Sequence, residues 1–599
     1  MIYHCEDHTC NYWDEGEKLP ERCPQCGRKL LRANEADMTG DDWTALGNTL
    51  WDAEASDKKR MVDCFRKAAY LGSAWGVCNL GICMEQGNGV EADPVQAFWL
   101  YQQAVEMGSL NAVCCLGVCY QYGIGTAPDA KQAAELYCKA AEYGSPRGQM
   151  LLARAFHDGI GVEADAAEAV YWVRAAAYQR YGEGMHRLGV CYEYGDGVEQ
   201  NWERAVHWFR EAAESGVSAA MTGLGYCYEK GCGVEQSWEQ AFSWYRRGAE
   251  CGDPVSMCNL GLCYQMGYGV EQNWQEAIKW YEQGAQCGDL QSMHNLACCY
   301  EGGEGVEQNE DRAFYWYRRS AEGGNGSAMC NLGRCYKRGY GVEQNWQEAV
   351  KWYEQGAQCG NLQSMHNLAC CYEHGEGVEQ NMTEAIRWYT AAAEGGNADD
   401  MYELGWQYDH GEGVEQDMKK AICWYERAAE QNHPAAMNSL GECYAMGRGV
   451  PRDLETAMEW YRRAAELGEA MADYNMGWHL EQAGKLSEAY THYRKAADGN
   501  DDSAWWALGR FYENGVVVAQ DGKEARRCYE TGEKLGSVKC KMRLARCKLL
   551  GIGGRRAKKA GLDLCRQALE LAKESSEKED YGYEAEMNLL RRTIAENES

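Results

Sequence analysis

The chain has 599 residues, and 91 Asp and Glu against 60 Lys and Arg give it a net charge of −31. This charge repels phosphate backbones and anionic lipid headgroups, so we expect neither nucleic-acid nor membrane binding. The sequence contains no apolar run of the ~20 residues that span a bilayer, and its first residues do not have the pattern of a signal peptide.

Four cysteines lie near the start of the sequence, before the first repeat, with the spacing C-x4-C-x12-C-x2-C: Cys5, Cys10, Cys23 and Cys26. Four thiolates at such spacing favour tetrahedral zinc, and so small a module has too little core to fold without a metal. His8 forms a Cys-x2-His pair with Cys5 and is an alternative ligand to Cys10. The segment resembles zinc ribbons, and its Cys-Pro-Gln-Cys-Gly part also resembles rubredoxin, which binds iron. The resemblance implies structural zinc, with iron as the alternative.

A period of 36 residues organises the rest of the chain. The second glycine of a Gly-x-Gly turn recurs at this interval eleven times without insertion or deletion: Gly89, Gly125, Gly161, Gly197, Gly233, Gly269, Gly305, Gly341, Gly377, Gly413 and Gly449. Periods of about 20–50 residues indicate small structural units that stack on their neighbours. We therefore predict a solenoid and not several globular domains.

The residues after each anchor glycine predict the second helix of a hairpin. Four residues on lies Asp, Asn or Ser, and in most repeats Glu or Gln follows three residues later, as in a capping box. An alanine eight residues after the anchor and an aromatic pair beyond it predict one apolar helix face. A glycine such as Gly216, Gly252 or Gly288 is expected to end this helix.

The residues before each anchor predict the first helix of the hairpin, as in 257–264. A central Leu-Gly or Leu-Ala lets a neighbouring helix approach closely. The paired turn glycines that follow supply left-handed backbone. The Glu-Gln pairs of the turns are expected to be solvated.

This repeating pattern resembles the Sel-1-like repeat, a relative of the tetratricopeptide repeat. The resemblance implies an all-α solenoid of helical hairpins, wound as a right-handed superhelix, with adaptor roles in assembling complexes. We predict a zinc-ribbon-like module (1–32), a degenerate first hairpin (33–74), eleven regular repeats (75–470), degenerate repeats (471–554) and C-terminal capping helices (555–599).

Cysteine recurs at one position of the first helix: Cys83, Cys119, Cys191, Cys227, Cys263, Cys299, Cys335, Cys371 and Cys443. One thiol at a fixed position is typical of core packing. Secreted, cysteine-rich members of the family pair two cysteines in every hairpin, but the second cysteines of this chain are irregularly placed. We therefore expect reduced cysteines and a cytoplasmic location.

No set of residues predicts catalysis. The sequence lacks hydrolase motifs and phosphate-binding loops in their required context, so we predict that the protein is not an enzyme. His294 and His366 occupy equivalent positions in two near-identical repeats. Duplication explains this pair better than a catalytic role.

Asparagine recurs immediately before the leucine of the first helix, as at Asn259, Asn295, Asn331 and Asn367. Asparagines of related tetratricopeptide grooves hydrogen-bond an extended peptide, because an amide offers both a donor and an acceptor. The alternative is that these side chains pack against the neighbouring helix. The variable positions nearby, including Arg334 and Trp406, are candidates for selecting a partner.

These patterns predict a monomeric interaction scaffold with an acidic concave groove. The expected partner is a peptide or a protein, and a basic segment would suit the charge. The alternative function is a metalloprotein whose four-cysteine site has a redox or regulatory role, with the solenoid as a targeting arm. The predicted cofactor is a structural zinc ion.

Overall fold

A computed structural model describes residues 2–5, 13–15, 30–32, 37–51, 55–578 and 584–598. The chain divides into two compact units, Met1–Asn309 and Glu310–Ser599. Within the described ranges, no helix is long and apolar enough to cross a membrane.

The first unit begins with a three-stranded antiparallel sheet in the order β2–β1–β3. The strands are β1 (Ile2–Cys5), β2 (Trp13–Glu15) and β3 (Leu30–Arg32). Helices follow: α1 (Gly40–Thr49), α2 (Ala55–Tyr70), α3 (Ala74–Gln86), α4 (Pro94–Glu106), α5 (Leu110–Tyr122), α6 (Ala130–Glu142), α7 (Pro146–Asp158), α8 (Ala166–Tyr178), α9 (Gly182–Tyr194), α10 (Trp202–Glu214), α11 (Ser218–Lys230), α12 (Trp238–Glu250), α13 (Pro254–Met266), α14 (Trp274–Gln286) and α15 (Leu290–Gly302).

The second unit continues the same alternation of helices. Its helices are α16 (Glu310–Glu322), α17 (Gly326–Arg338), α18 (Trp346–Gln358), α19 (Leu362–His374), α20 (Met382–Glu394), α21 (Ala398–His410), α22 (Met418–Glu430), α23 (Pro434–Met446), α24 (Leu454–Glu466), α25 (Ala470–Gln482), α26 (Leu486–Asp498), α27 (Asp502–Asn514), α28 (Gly522–Lys534), α29 (Val538–Leu550), α30 (Lys558–Lys578) and α31 (Glu584–Glu598). Odd-numbered helices up to α29 are the first helices of hairpins. Within each unit, every first helix from α1 to α13 and from α17 to α29 packs against the even-numbered helix that follows it.

The predicted helix boundaries are confirmed in the repeats. Asn273 Oδ1 accepts the backbone N–H of Glu276 at 3.1 Å and begins α14. Except for α1 and α25, the first helices end at a left-handed glycine such as Gly267 (φ 75°), whose N–H donates to the carbonyl oxygen of Cys263. Glycine suits this conformation because it has no Cβ atom.

The turn glutamines are exposed, as predicted, and each also makes a hydrogen bond that the sequence does not predict. Gln272 Nε2 donates to the carbonyl oxygen of Gln265 at 2.8 Å. The last carbonyls of an α-helix have no partner within the helix, and this amide satisfies one of them. The same bond joins Gln200 to Glu193, Gln236 to Glu229, Gln308 to Glu301, Gln344 to Lys337, Gln380 to Glu373 and Gln416 to Asp409.

A buried tyrosine of the second helix packs on the central glycine of the first. A Cβ atom on Gly261 would lie 2.5 Å from Cε1 of Tyr281, so the predicted close approach is confirmed. The Tyr281 hydroxyl donates to Gln265 Oε1 at 2.6 Å, which ties the two helices together. Burial raises the pKa of Tyr281, and the ring is fully inaccessible to solvent.

The recurring cysteines also belong to the core. Cys83, Cys119, Cys191, Cys227, Cys263, Cys299, Cys335, Cys371 and Cys443 are all buried. Each is a free thiol, as are the other cysteines whose side chains the structure describes. Burial raises the pKa of thiols such as Cys299, to about 12, which makes them unreactive packing groups.

Candidate partner-binding groove

A groove of about 820 Å³ crosses five consecutive first helices of the second unit, α21, α23, α25, α27 and α29. We call it the acidic groove. The residues that line it are Tyr402, Trp406, Asp409, His410, Tyr425, Ala435, Asn438, Ser439, Glu442, Arg448, Glu469, Met471, Tyr474, Asn475, Asp501, Asp502, Ser503, Gly536, Ser537, Val538 and Lys539.

Aromatic side chains form one part of the acidic groove. The rings of Trp406 and His410 stack with their centroids 4.4 Å apart. The ring of Tyr402 stacks on His433 at 5.0 Å. Tyr402 and Trp406 are half-buried, so each presents part of its ring to the groove.

Two carboxylates of the groove, Asp409 and Glu442, are partly neutralised by Arg448 of the protein itself. The buried Asp409 accepts from Arg448 Nη1, with Oδ1 at 2.9 Å. Glu442 Oε1 accepts the side-chain amides of Asn438 at 3.2 Å and Asn475 at 3.1 Å. These residues give the groove a fixed polar wall.

Three further carboxylates of the groove have no such neutralisation. No lysine or arginine of the described residues forms an ion pair with Glu469, Asp501 or Asp502. Burial, together with the charges of Asp502 and Glu469, raises the pKa of Asp501 to about 6, although the N–H of Ala504 opposes the rise. The Asp501 side chain also accepts the N–H of Ala504 at 2.7 Å as the N-cap of α27. This end of the groove therefore carries negative charge that a cationic ligand would relieve.

The structure places the predicted partner-binding residues in different environments. Trp406 lines the acidic groove. Asn331 and Arg334 are half-buried on α17, Asn367 lies on α19, and none of these three lines the groove. Asn259 and Asn295 belong to the first unit, on α13 and α15.

The side-chain amides of two predicted asparagines donate hydrogen bonds to a cysteine of the preceding repeat. Asn295 Nδ2 donates to Cys258 Sγ at 3.6 Å, and Asn367 Nδ2 donates to Cys330 Sγ at 3.3 Å. Asn295 Oδ1 also accepts from Gln291 Nε2 at 2.9 Å. Peptide binding by this ladder stays a prediction, and a peptide would have to displace these contacts.

The predicted zinc ligands lie largely outside the described residues. Cys10, Cys23 and Cys26 fall in undescribed segments, as does His8, and only the backbone of Cys5 is described, in β1. Within the part of the chain that the structure describes, no group of three or more His, Cys, Asp or Glu side chains is arranged to hold a metal ion.

The Sel1 repeat family model matches thirteen consecutive segments that together span well over half of the chain. They are 76–109, 112–145, 146–181, 182–217, 218–253, 254–289, 290–325, 326–361, 362–397, 398–433, 434–469, 470–501 and 504–537. This chain belongs to the Sel1 repeat family. Its repeats are α-helical hairpins that stack as a solenoid within each unit.

Solved structures agree with this assignment. The Sel1-repeat chain is 32% identical to c5321, a protective antigen of uropathogenic Escherichia coli strains that displays an SLR fold; the alignment covers 75% of this chain and 97% of that one, with a TM-score of 0.50. It is 33% identical to a Sel1 repeat protein from Oxalobacter formigenes, over 41% of this chain and 96% of that one, with a TM-score of 0.38. The comparison with curated proteins finds no match.

Proposed function

We propose that this Sel1-repeat protein is a protein-binding scaffold and that its acidic groove receives a basic, extended segment of a partner. One observation carries the proposal: Glu469, Asp501 and Asp502 lie together in the groove that also presents the Trp406 ring, and no lysine or arginine of the described residues forms an ion pair with them.

The dimensions of the groove suit a peptide. Packed helices are about 8–10 Å apart, so five first helices span roughly 30–40 Å. An extended chain of about ten to twelve residues covers that distance. A lysine or arginine of the segment would form ion pairs with the three carboxylates and offset part of their charge, and a second one would stack on the indole of Trp406.

A binding titration tests the proposal. The probe is a fluorescein-labelled peptide of about twelve residues with alternating Lys and Val, followed by anisotropy, and a Glu-Val peptide of the same length is the negative probe. The triple variant Glu469→Gln, Asp501→Asn, Asp502→Asn should bind the Lys-Val peptide at least about tenfold more weakly, because each lost charge contact contributes some tenths of a kcal/mol or more.

A matched triple variant separates the groove from general charge attraction. Glu343, Glu379 and Glu415 are exposed turn residues of the same unit, outside the groove, and their change to Gln alters the net charge equally. This control should bind within about twofold of the unchanged protein. Equal weakening by both triple variants would refute a specific groove. Trp406→Ala should weaken binding further without changing its dependence on salt.

We also propose that Cys5, Cys10, Cys23 and Cys26 hold a structural zinc ion, on the strength of their spacing alone. Metal analysis of the purified protein should find one zinc per chain and no visible absorbance. Replacement of all four cysteines by serine should abolish the metal. Iron with a visible spectrum would instead support the rubredoxin-like alternative. We further propose a cytoplasmic location, which the free thiols support.

A further inference from the structure

A chain of polar side chains joins two neighbouring hairpins of the second unit, away from the acidic groove. Asp400 Oδ1 on α21 lies 2.7 Å from His366 Nδ1 on α19. His366 Nε2 lies 3.6 Å from Cys370 Sγ, one helical turn further along α19. In many enzymes a carboxylate orients an imidazole, and the imidazole in turn activates a nucleophile such as a thiol. Asp400, His366 and Cys370 are arranged in this order.

Asp400 occupies a position that packing alone would fill with a small residue. The equivalent residues of the other repeats are Gly76, Ala112, Gly148, Gly184, Ala220, Ser256, Ser292, Ala328, Ser364, Ala436 and Ala472. Asp400 is fully buried, and its Oδ2 atom has no hydrogen-bond partner in the described structure. Burying a carboxylate is costly, so its presence here points to a role for the charge.

That role is to keep a proton on His366. The hydrogen bond with Asp400 and the contact with Cys370 together raise the pKa of His366 to about 10, against the opposing effect of burial. Burial raises the pKa of Asp400 while His366 opposes the rise, so both residues favour keeping a proton on the pair. At neutral pH the Nε2–H of an imidazolium therefore faces the sulfur of Cys370.

Carboxylates also lie near Cys370, and their distance from its sulfur determines whether they outweigh the positive charge of His366. Tyr389 Oη lies 3.4 Å from Cys370 Sγ and donates to Glu373 Oε2 at 2.7 Å, so this carboxylate reaches the sulfur only through the phenol. Glu403 lies near His366, and burial raises the pKa of Glu403. The imidazolium contacts the sulfur directly, and a directly bonded cation outweighs carboxylates one residue further away.

We propose that Cys370 is a modification site: a nucleophilic thiol that reacts with small hydroperoxides and becomes a sulfenic acid. The thiolate sulfur forms a bond to one peroxide oxygen as the O–O bond breaks. The departing oxygen takes the Nε2 proton of His366 and leaves as water when the peroxide is H2O2. Sulfur is oxidised and the peroxide is reduced, so electrons and atoms balance.

The surroundings of Cys370 favour a peroxide over an acyl group as the electrophile. Cys370 is half-buried in the middle of α19, where the backbone N–H groups are used by the helix. Those N–H groups therefore cannot stabilise the oxyanion of an acyl transfer. A peroxide needs no such donors, because the imidazolium protonates its leaving oxygen.

The chain contains an internal reference for this reaction. His294 Nε2 lies 3.6 Å from Cys298 Sγ on α15, the same separation as between His366 and Cys370. Both cysteines are half-buried. The sequence position equivalent to Asp400 is Ala328, so the second pair has the imidazole and the thiol without the aspartate.

Peptide mapping of the full-length protein tests the proposal. The reduced protein is treated with H2O2 between pH 6 and pH 9 in the presence of dimedone, and mass spectrometry follows the sulfenic acid adducts at Cys370 and Cys298. Cys370 should react about fivefold faster than Cys298 at pH 6, because His366, held by Asp400 beside the sulfur, can donate a proton to the departing peroxide oxygen. The advantage of Cys370 should persist to pH 9, because the pKa of His366 is raised to about 10.

Asp400→Ala and Asp399→Ala form a matched pair of variants. Asp399 precedes Asp400 and is exposed, so its replacement should leave the rate at Cys370 unchanged. Asp400→Ala restores the small residue of the other repeats and should bring the rate at Cys370 down to that of Cys298. Circular dichroism verifies that both variants are folded. A rate at Cys370 that equals that of Cys298 in the unchanged protein, or that survives Asp400→Ala, would show that the Asp400–His366 pair is only structural.

Discussion

Gly225 of α11 and Tyr245 of α12 face each other across one hairpin, and the glycine has no room for a side chain. A Cβ atom on Gly225 would lie 2.5 Å from Cε1 of Tyr245, a ring that is only 1% exposed. The hydroxyl of the same ring donates to Glu229 Oε2 at 2.8 Å and cannot move away freely. The two helices of this hairpin therefore pack so closely at Gly225 that the space cannot hold even one added methyl group.

Gly225→Ala should destabilise the first unit, because the methyl group must push a fixed ring out of a packed core. We expect a loss of about 1–3 kcal/mol in the free energy of unfolding, measured by urea denaturation. Gly223 of the same helix is the control, since its Cβ atom would lie at an ordinary 3.4 Å from Phe209. Gly223→Ala should stabilise the helix by about 0.5–1 kcal/mol. Equal effects of the two changes would contradict this account of the hairpin.

Gln272→Ala should remove the bond between the turn and the end of α13. The change leaves the carbonyl oxygen of Gln265 to water, so we expect a modest loss of about 0.5–1 kcal/mol. Hydrogen exchange of the amides at the C-terminal turn of α13 should become faster. Glu271→Ala, at the exposed neighbouring position, should leave that exchange unchanged. Faster exchange in both variants would mean that the turn responds to any change.

The repeat and its helix boundaries follow from the sequence because local residues determine them. The caps at Asn273 and its equivalents, the left-handed glycines and the Leu-Gly approach each depend on residues within one period. The amide of Gln272 was not anticipated because a polar residue in a turn gives no signal of its acceptor. The bond becomes evident only when the backbone places Gln265 beside it.

The candidate sites were less predictable, because their residues come from different repeats. Trp406 was selected as a variable position and lines the acidic groove, whereas Glu469 and Asp501 begin two different hairpins and meet only when these stack. His366 was attributed to duplication, since the repeat containing it nearly copies that of His294. The difference lies in Asp400, one repeat further on, and an aspartate among alanines and serines at that position is the signal that a comparison of the repeats provides.

Asp501→Asn should change how the stability of the second unit depends on pH. The pKa of Asp501 is raised to about 6 in the folded protein, against about 3.9 in an unfolded chain. The folded state therefore binds more protons between these values, and stability falls as the pH rises from about 4 to 6. Asn also serves well as an N-cap, so the variant should lose this fall and be about 1 kcal/mol more stable at pH 7. Urea denaturation at pH 4, 5, 6 and 7 measures the free energy of unfolding of both proteins. The same dependence on pH in both would show that Asp501 ionises freely in the fold.

The two members of the His366–Asp400 pair should respond differently to removal. His366→Gln leaves the buried carboxylate of Asp400 without its partner and should cost about 2–3 kcal/mol at pH 7. Asp400→Ala restores the small residue of the other repeats and leaves His366, which is 30% exposed, able to lose its proton to water, so the cost should be small.

The pH dependence distinguishes the pair from ordinary packing. His366 has a folded pKa of about 10 against about 6.5 when unfolded, so its contribution to stability is complete below about pH 6.5 and is lost as the pH rises through about 10. The unchanged protein should therefore lose more thermal stability between pH 7 and pH 10 than Asp400→Ala does. Parallel curves for the two proteins would show that the imidazole is neutral at pH 7, and the proton donor proposed beside Cys370 would then be absent.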